Sequence, residues 1–178
     1  MTEPPNPFEQ YATAQRAGDK QGMADAAQRM EDEFKKQPLP EELPVTEPGV
    51  LKRTRSAGMG PMAASVTTTY APAKERPASY PPDLPFLPDA TLSVSVFDDS
   101  AYGPIWQTFG LSNLKAALDS ITRQLESAGW ERMKVPADKL PPGAAFSRGE
   151  ARRFVTGMEG AGGSMIMVAQ VEAGPAET

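Results

Sequence analysis

Residues 91–130 read TLSVSVFDDSAYGPIWQTFGLSNLKAALDSITRQLESAGW and decide the fold class. Apolar residues alternate with small polar ones from Thr91 to Phe97, which predicts a half-buried strand. Asp98-Asp99-Ser100 has turn chemistry, because such side chains bond readily to nearby backbone groups. The apolar residues of Pro104 to Phe109 then predict a second strand, so this stretch begins as a strand pair.

The same stretch ends in a well-marked helix. Ser112 can cap its start, and one apolar stripe follows at helical spacing, made of Leu114, Leu118, Ile121 and Leu125. Gly129 can adopt the left-handed conformation that ends helices, and Trp130 is placed for the apolar contact that often accompanies this ending. The helix is expected to pack across the strands.

Three more strands are expected after the helix. They are predicted at Trp130 to Val135, Ala151 to Met158 and Ser164 to Glu172, with a loop at Pro136 to Gly143 and a glycine hairpin at Gly160 to Gly163. The order β-β-α-β-β-β implies an α+β domain, a small antiparallel sheet with one helix packed on it.

Proline dominates the middle of the chain. Eleven prolines lie between Gln37 and Ala90, and proline can extend neither a helix nor a central strand. Val66 to Tyr70 is β-prone and could add to a sheet as an edge strand. The expected parts are a helical hairpin or anchor at 1–36, an extended linker at 37–83, a compact domain at 84–173 and a disordered tail at 174–178.

The first 36 residues have the signals of two helices. Asn6 can cap the first, Pro7 suits its first position, and Gly18-Asp19 separates it from a second that ends near Lys36. The apolar residues at helical spacing include Phe8, Tyr11, Met23, Met30 and Phe34. This face could dock into a groove on a partner, fold back onto the C-terminal domain, or belong to a frayed helix.

Composition removes many kinds of chemistry. The chain has no cysteine and no histidine, which excludes thiolate nucleophiles, Cys- or His-type metal sites and histidine general bases. Asp98 and Asp99, with Asp89, could hold a hard cation, but neighbouring strand residues point to opposite sides and favour a plain turn. We therefore expect no catalytic residue, no metal site and no cofactor.

The charge pattern bears on partners. The net charge is −5, which argues against non-specific nucleic-acid binding. One basic cluster, Lys52, Arg53 and Arg55, is a candidate contact for an acidic surface. The N-terminus lacks a basic and apolar leader and no apolar run could span a bilayer, so a soluble cytoplasmic protein is expected, with a periplasmic or envelope location as the alternative if a leader is missing.

A second basic cluster lies in the predicted compact domain. Arg148, Arg152 and Arg153, together with Trp106 and Trp130, could form an aromatic and basic face for nucleic acid. The position of Trp130 after the helix favours burial in the core instead.

The C-terminal half resembles small α+β domains of uncharacterised role in bacterial proteins, often exported or lipid-anchored. The resemblance is carried by LPFLPDA at 84–90, by QLESAGW at 124–130 and by the glycine-split hairpin. It implies a binding or packing module without a recognised active site. We expect the chain to depart from this pattern, because its first residues do not resemble a signal peptide and the sequence contains no cysteine for a lipobox.

Three functions remain open on these grounds. The first is a non-catalytic accessory or assembly subunit that binds a larger complex through its N-terminal helices and linker, with contact residues Phe8, Tyr11, Met30, Phe34 and, on the outer face of the domain, Trp106. The second is a small-ligand module with a pocket between helix and sheet lined by Trp106, Phe109 and Phe154. The third is an enzyme that uses the carboxylates of Asp98, Asp99 and Glu150.

Overall fold

A computed structural model describes residues 6–58, 63–98, 102–134, 143–161 and 163–172. The three helices of the described residues are α1 (Pro7–Ala17), α2 (Lys20–Lys36) and α3 (Leu114–Ser127). The strands are β1 (Glu41–Leu43), β2 (Val50–Ser56), β3 (Ser65–Tyr70), β4 (Thr91–Phe97), β5 (Tyr102–Leu111), β6 (Glu131–Arg132), β7 (Gly143–Arg148), β8 (Ala151–Gly160) and β9 (Gly163–Glu172).

All nine strands belong to one antiparallel sheet in the order β1-β2-β3-β4-β5-β9-β8-β7-β6. Strands β1 to β5 form one meander and β6 to β9 form a second, which runs back toward β5. Helix α3 joins the two meanders and packs against β6 to β9. The chain is therefore an α+β fold, as predicted.

Helix α3 confirms the predicted apolar stripe and C-terminal stop. Gly129 has φ +83°, and the Trp130 N–H donates to the Leu125 carbonyl at 3.0 Å, which is the bond pattern of a glycine-terminated helix. Trp130 is buried in the core beneath the helix, as is Leu125. The cap is one residue later than predicted, because the side chain of Asn113 accepts from the Ala116 N–H at 2.9 Å.

The predicted small sheet is wrong in its extent and topology. Residues 41–70, which were assigned to an extended linker, supply strands β1, β2 and β3. The prolines flank these strands and do not interrupt them: β1 occupies the three residues between Pro40 and Pro44 at the sheet edge, where a missing N–H is tolerated. Strand β3 is not an edge strand, since it pairs with both β2 and β4.

The C-terminal half also differs from the prediction. Strand β7 was not predicted, and β6 covers only Glu131–Arg132 of the expected strand from Trp130 to Val135. The end of that strand, most of the loop before β7 and the tail at 174–178 lie outside the described residues. The glycine hairpin is confirmed by the pairing of Gly160 with Gly163 between β8 and β9.

Residues 71–90, here called the strap, connect β3 to β4 without a helix or strand of their own. They bury Tyr80, Leu84 and Leu87 in the same core as α3 and the sheet. The Trp106 indole N–H donates to the Tyr80 hydroxyl, which donates to the Pro85 carbonyl. The strap is thus part of the core, although residues 71–83 were predicted to belong to an extended linker.

We expect Tyr80→Phe to lower the free energy of unfolding by about 1–3 kcal/mol, because the indole N–H of Trp106 is then left buried without its acceptor. The aromatic ring and its contacts with Tyr70 and Phe86 stay in place. Urea unfolding measures the change. An unchanged unfolding free energy would contradict a bridging role for this hydroxyl.

The same substitution should change how the free energy of unfolding depends on pH above pH 10. Burial raises the pKa of Tyr80 above its ordinary value, and burial also raises the pKa of Tyr70. Folding therefore favours the protonated phenols, so this contribution is complete below about pH 10 and is lost as the pH rises further. Stability of Tyr80→Phe should fall less steeply above pH 10 than that of the unmodified chain.

Candidate functional site: an apolar groove at the base of the helical hairpin

The N-terminal hairpin forms as its capping residues predict. The side chain of Asn6 accepts from the Phe8 N–H at 3.0 Å, and that of Asp19 accepts from the Gly22 N–H at 3.0 Å. Helices α1 and α2 pack against each other through small residues, with Ala14 and Ala26 buried. The larger apolar side chains are consequently left at the periphery of the hairpin.

The four hairpin residues that were predicted to contact a partner differ in exposure. Phe8, Tyr11 and Met30 are partly buried, whereas the side chain of Phe34 is 56% exposed. Met30 and Phe34 lie one turn apart on the same side of α2. Phe34 is therefore the member of this set that is most accessible to a partner.

Phe34 forms one wall of a groove where the hairpin meets the sheet. The groove has a volume of about 350 Å³ and is lined mainly by apolar groups, among them Phe34, Pro38, Leu39, Pro40, Ala57 and Phe97. Leu39 is 91% exposed. The side-chain amide of Gln37 donates to the Gly58 carbonyl at 3.5 Å and links the hairpin to the end of β2.

Sequence reasoning found Phe34 but missed the rest of the groove. Leu39 stands between two prolines in a segment that was assigned to a linker, and a large aliphatic residue in such a segment was the available signal. Phe97 was assigned to a strand without a site role. The rest of the groove could not be predicted, because its walls come from three separate parts of the chain.

The prediction that Trp106 lies on the outer face of the domain is wrong. Its side chain is 0% exposed and lies in the core with Tyr80 and Ile166. Successive strand residues point to opposite faces, and Trp106 is on the face that α3 and the strap cover. Trp106 is therefore a core residue and is not available to a partner.

The predicted ligand pocket between helix and sheet is also wrong. Trp106 points toward α3, whereas Phe109 lies an odd number of residues away on β5 and is exposed on the other face. Phe154 follows the buried Arg153 on β8, so its side chain points to the same outer face as Phe109 and is exposed there. These three aromatic side chains cannot line a single pocket.

A second concavity lies between the strap and α3, with a volume of about 530 Å³. Its wall is closed by a reciprocal pair of bonds between Phe86 and Gln124, each 2.8 Å long. Its two arginines donate to nearby carbonyls: Arg76 to Pro82 at 2.5 Å and Arg123 to Asp119 at 3.3 Å. The bonds between Phe86 and Gln124 join the strap to α3, and each arginine bonds within its own segment. None of these groups points into the space between the strap and the helix as a ligand-binding group would.

The basic clusters are divided by the strand geometry. Lys52 pairs with Glu42 at 2.9 Å, while Arg53 and Arg55 project from the opposite face of β2. The arginines of the compact domain are also divided: Arg148 and Arg153 lie over the Trp130 ring, at 4.6 Å and 4.2 Å from its centroid, while Arg152 faces the other way.

The carboxylates considered for metal or acid–base chemistry do not assemble among the described residues. Asp89 pairs with Lys74 at 2.6 Å, Asp98 follows β4, and Glu150 lies in the turn between β7 and β8. Asp99 lies outside the described residues. Within the described ranges there is no group of three or more potential metal-ligating side chains.

No protein-family model, curated protein or solved structure shows significant similarity to this chain. The resemblance to small bacterial α+β domains therefore stays a prediction. A further finding concerns membranes: none of the helices in the described part of the chain has the length and apolarity required to cross a bilayer.

Proposed function

We propose that the protein is a non-catalytic accessory subunit that binds a larger protein partner through the apolar groove at the base of its helical hairpin. The observation that carries the proposal is the convergence of Phe34, Leu39 and Phe97 on one groove while Phe34 and Leu39 stay largely exposed. Exposed aromatic and aliphatic side chains that share a concave surface are typical anchors for a partner segment.

The groove also joins the two parts of the chain that were expected to bind. Its walls come from the end of α2, from Pro38 to Pro40 and from the adjoining ends of β2, β3 and β4. Prolines on one wall restrict the backbone, so less conformational entropy is lost when a partner binds. The absence of histidine and cysteine supports a binding role over a catalytic one.

Affinity capture from the native source tests this proposal. Phe34→Glu and Leu39→Glu should each reduce the captured partner at least about tenfold, because the loss of an anchor residue commonly costs 2 kcal/mol or more. Leu51→Glu is the matched control, since Leu51 is an exposed aliphatic residue on β2 outside the groove. Equal capture by all three variants would refute the groove as the binding site.

A further inference from the structure

Among the described residues, neither a helix nor the strap covers one face of the sheet, here called the open face, although Ser93 and Ala145 on this face are buried. It consists of alternate residues on β3, β4, β5, β9, β8 and β7, including Thr67, Ser95, Ile105, Phe109, Met167 and Phe154. Helix α3 and the strap cover the opposite face, where the core lies. Three large apolar side chains are prominent on the open face: Phe109 is 48% exposed, Phe154 is 36% exposed and Met158 is 44% exposed.

The open face is almost free of charge. On these six strands, Arg152 is its one charged side chain among the residues whose side chains the structure describes. Yet 23% of the whole chain is charged and the net charge is −5. A sheet face that is permanently solvated normally carries charged and strongly polar residues, so this composition is that of a covered surface.

Charged residues instead flank the open face on its two sides. The Lys52–Glu42 pair lies beyond β3 on one side, and Glu131 pairs with Ser147 beyond β7 on the other. Hydroxyl groups within the face satisfy one another across strands, as Thr67 and Ser95 do at 2.8 Å. An uncharged centre with a charged rim is the anatomy of a protein interface.

The size of the open face also fits an interface. Six strands of six to ten residues, spaced about 4.8 Å apart and rising about 3.4 Å per residue, make a face of about 800 Å². A stable interface of standard size buries about 800 Å² on each partner. The whole face, rather than one corner of it, therefore matches the area that a stable dimer requires.

We infer that the open face binds a second copy of this chain, so that two sheets pack face to face as a β-sandwich. Two chains of net charge −5 repel each other, and an uncharged face is where they can meet without opposing like charges. A two-fold axis through the face places the apolar part formed by β5, β9 and β8 against the same part of the other copy. Association through the sheet edges is disfavoured, because β1 has three residues between prolines and β6 has two residues.

Sedimentation equilibrium of the full chain tests the inference at about 1–100 μM, the range in which a dimer of micromolar Kd assembles. The unmodified chain should have the mass of a dimer, and Phe154→Glu should weaken association at least about tenfold, because it buries an unpaired charge. Val96→Glu is the matched control, since Val96 is exposed on a strand but projects from the opposite face. It should remain dimeric.

A second measurement is needed because Phe154→Glu could also weaken association by impairing folding. The chain contains no cysteine, so Thr156→Cys on the open face and Val96→Cys on the other face can each carry a single spin label. Dipolar coupling between copies should be strong for a label at position 156 and weaker for one at position 96. A monomer at 100 μM, a dimer insensitive to Phe154→Glu, a mass above that of a dimer, or stronger coupling from position 96 would each overturn the inference.

The groove and the open face are tested separately, although Phe97 borders both. Phe154 and Thr156 lie on β8, away from the hairpin, so their substitutions leave the groove walls unchanged. Phe154→Glu should weaken dimerisation and leave partner capture unchanged, whereas Phe34→Glu should do the reverse. Failure of one of these two results overturns one proposal and leaves the other standing.

Discussion

Replacing Arg153 with alanine is expected to lower the free energy of unfolding by about 3–5 kcal/mol, which is a large fraction of the stability of an ordinary domain. Arg153 is fully buried and joins three parts of the fold. Its guanidinium donates to the Gln170 side chain on β9 at 2.8 Å and to the Asp83 carbonyl in the strap at 2.8 Å. It also lies 4.2 Å from the centroid of the Trp130 ring.

The ion pair with Asp83 accounts for only part of this loss. The Arg153–Asp83 distance is 3.2 Å, but the carboxylate is about half exposed, so water screens the attraction. Most of the cost comes from the cavity and from polar groups left without a donor. Asp83→Ala should therefore cost less, about 1–2 kcal/mol, because the backbone carbonyl still accepts from the guanidinium.

Arg152→Ala is the matched control for this experiment. Arg152 is adjacent on β8 but faces away from the core, and its side chain donates to the carbonyls of Gly149 in the preceding turn and of Ala151. Its loss should change the unfolding free energy by about 0.5 kcal/mol or less. Similar effects of the two alanine substitutions in urea unfolding would contradict a structural role specific to Arg153.

The parts of the fold that could be predicted are those specified by local chemistry. Helix α3 has an apolar stripe and a terminal glycine, α1 and α2 have caps, and β4 alternates cleanly. The bonds that define these elements join residues only a few positions apart. A sequence read in short windows contains that information.

The missed parts depend on distant pairing. Strand β2 carries LKRTR, which has little apolar character, and it forms because β1 and β3 pair with its two edges. Residues 71–83 of the strap were predicted to be a linker because their prolines exclude regular structure, yet proline does not prevent Tyr80 from entering a core. Regular secondary structure and burial are separate properties, and the prolines of the strap exclude only regular secondary structure.

The candidate groove was only partly predictable for the same reason. Phe34 was identified from helical spacing, while its neighbours Leu39 and Phe97 come from a proline segment and from a strand end. The prediction for Trp106 was wrong because the alternation of side chains along a strand shows that a sheet has two faces but not which of them is covered. The covering residue Tyr80 lies 26 positions away in the strap.

Replacing Trp106 with alanine is the second large effect, an expected loss of about 3–5 kcal/mol in unfolding free energy. The indole fills the core between β5, the strap and α3, and its N–H bonds to Tyr80. Phe109→Ala provides the comparison, because Phe109 is on the same strand but half exposed, and it should cost about 1 kcal/mol or less. Both variants are best compared at low protein concentration, where association through the open face does not add to stability.

Fluorescence of the remaining tryptophan makes the Trp106 experiment direct, since Trp130 is buried and reports unfolding by itself. A small loss of unfolding free energy for Trp106→Ala, equal to that of Phe109→Ala, would contradict the burial of Trp106. Trp106 would then again be a candidate for contact with a partner. The large loss that we expect would instead mean that residues on the two faces of β5 have different roles. Trp106 would then stabilise the fold from the covered side, and Phe109 would contribute to the surface that a second copy binds.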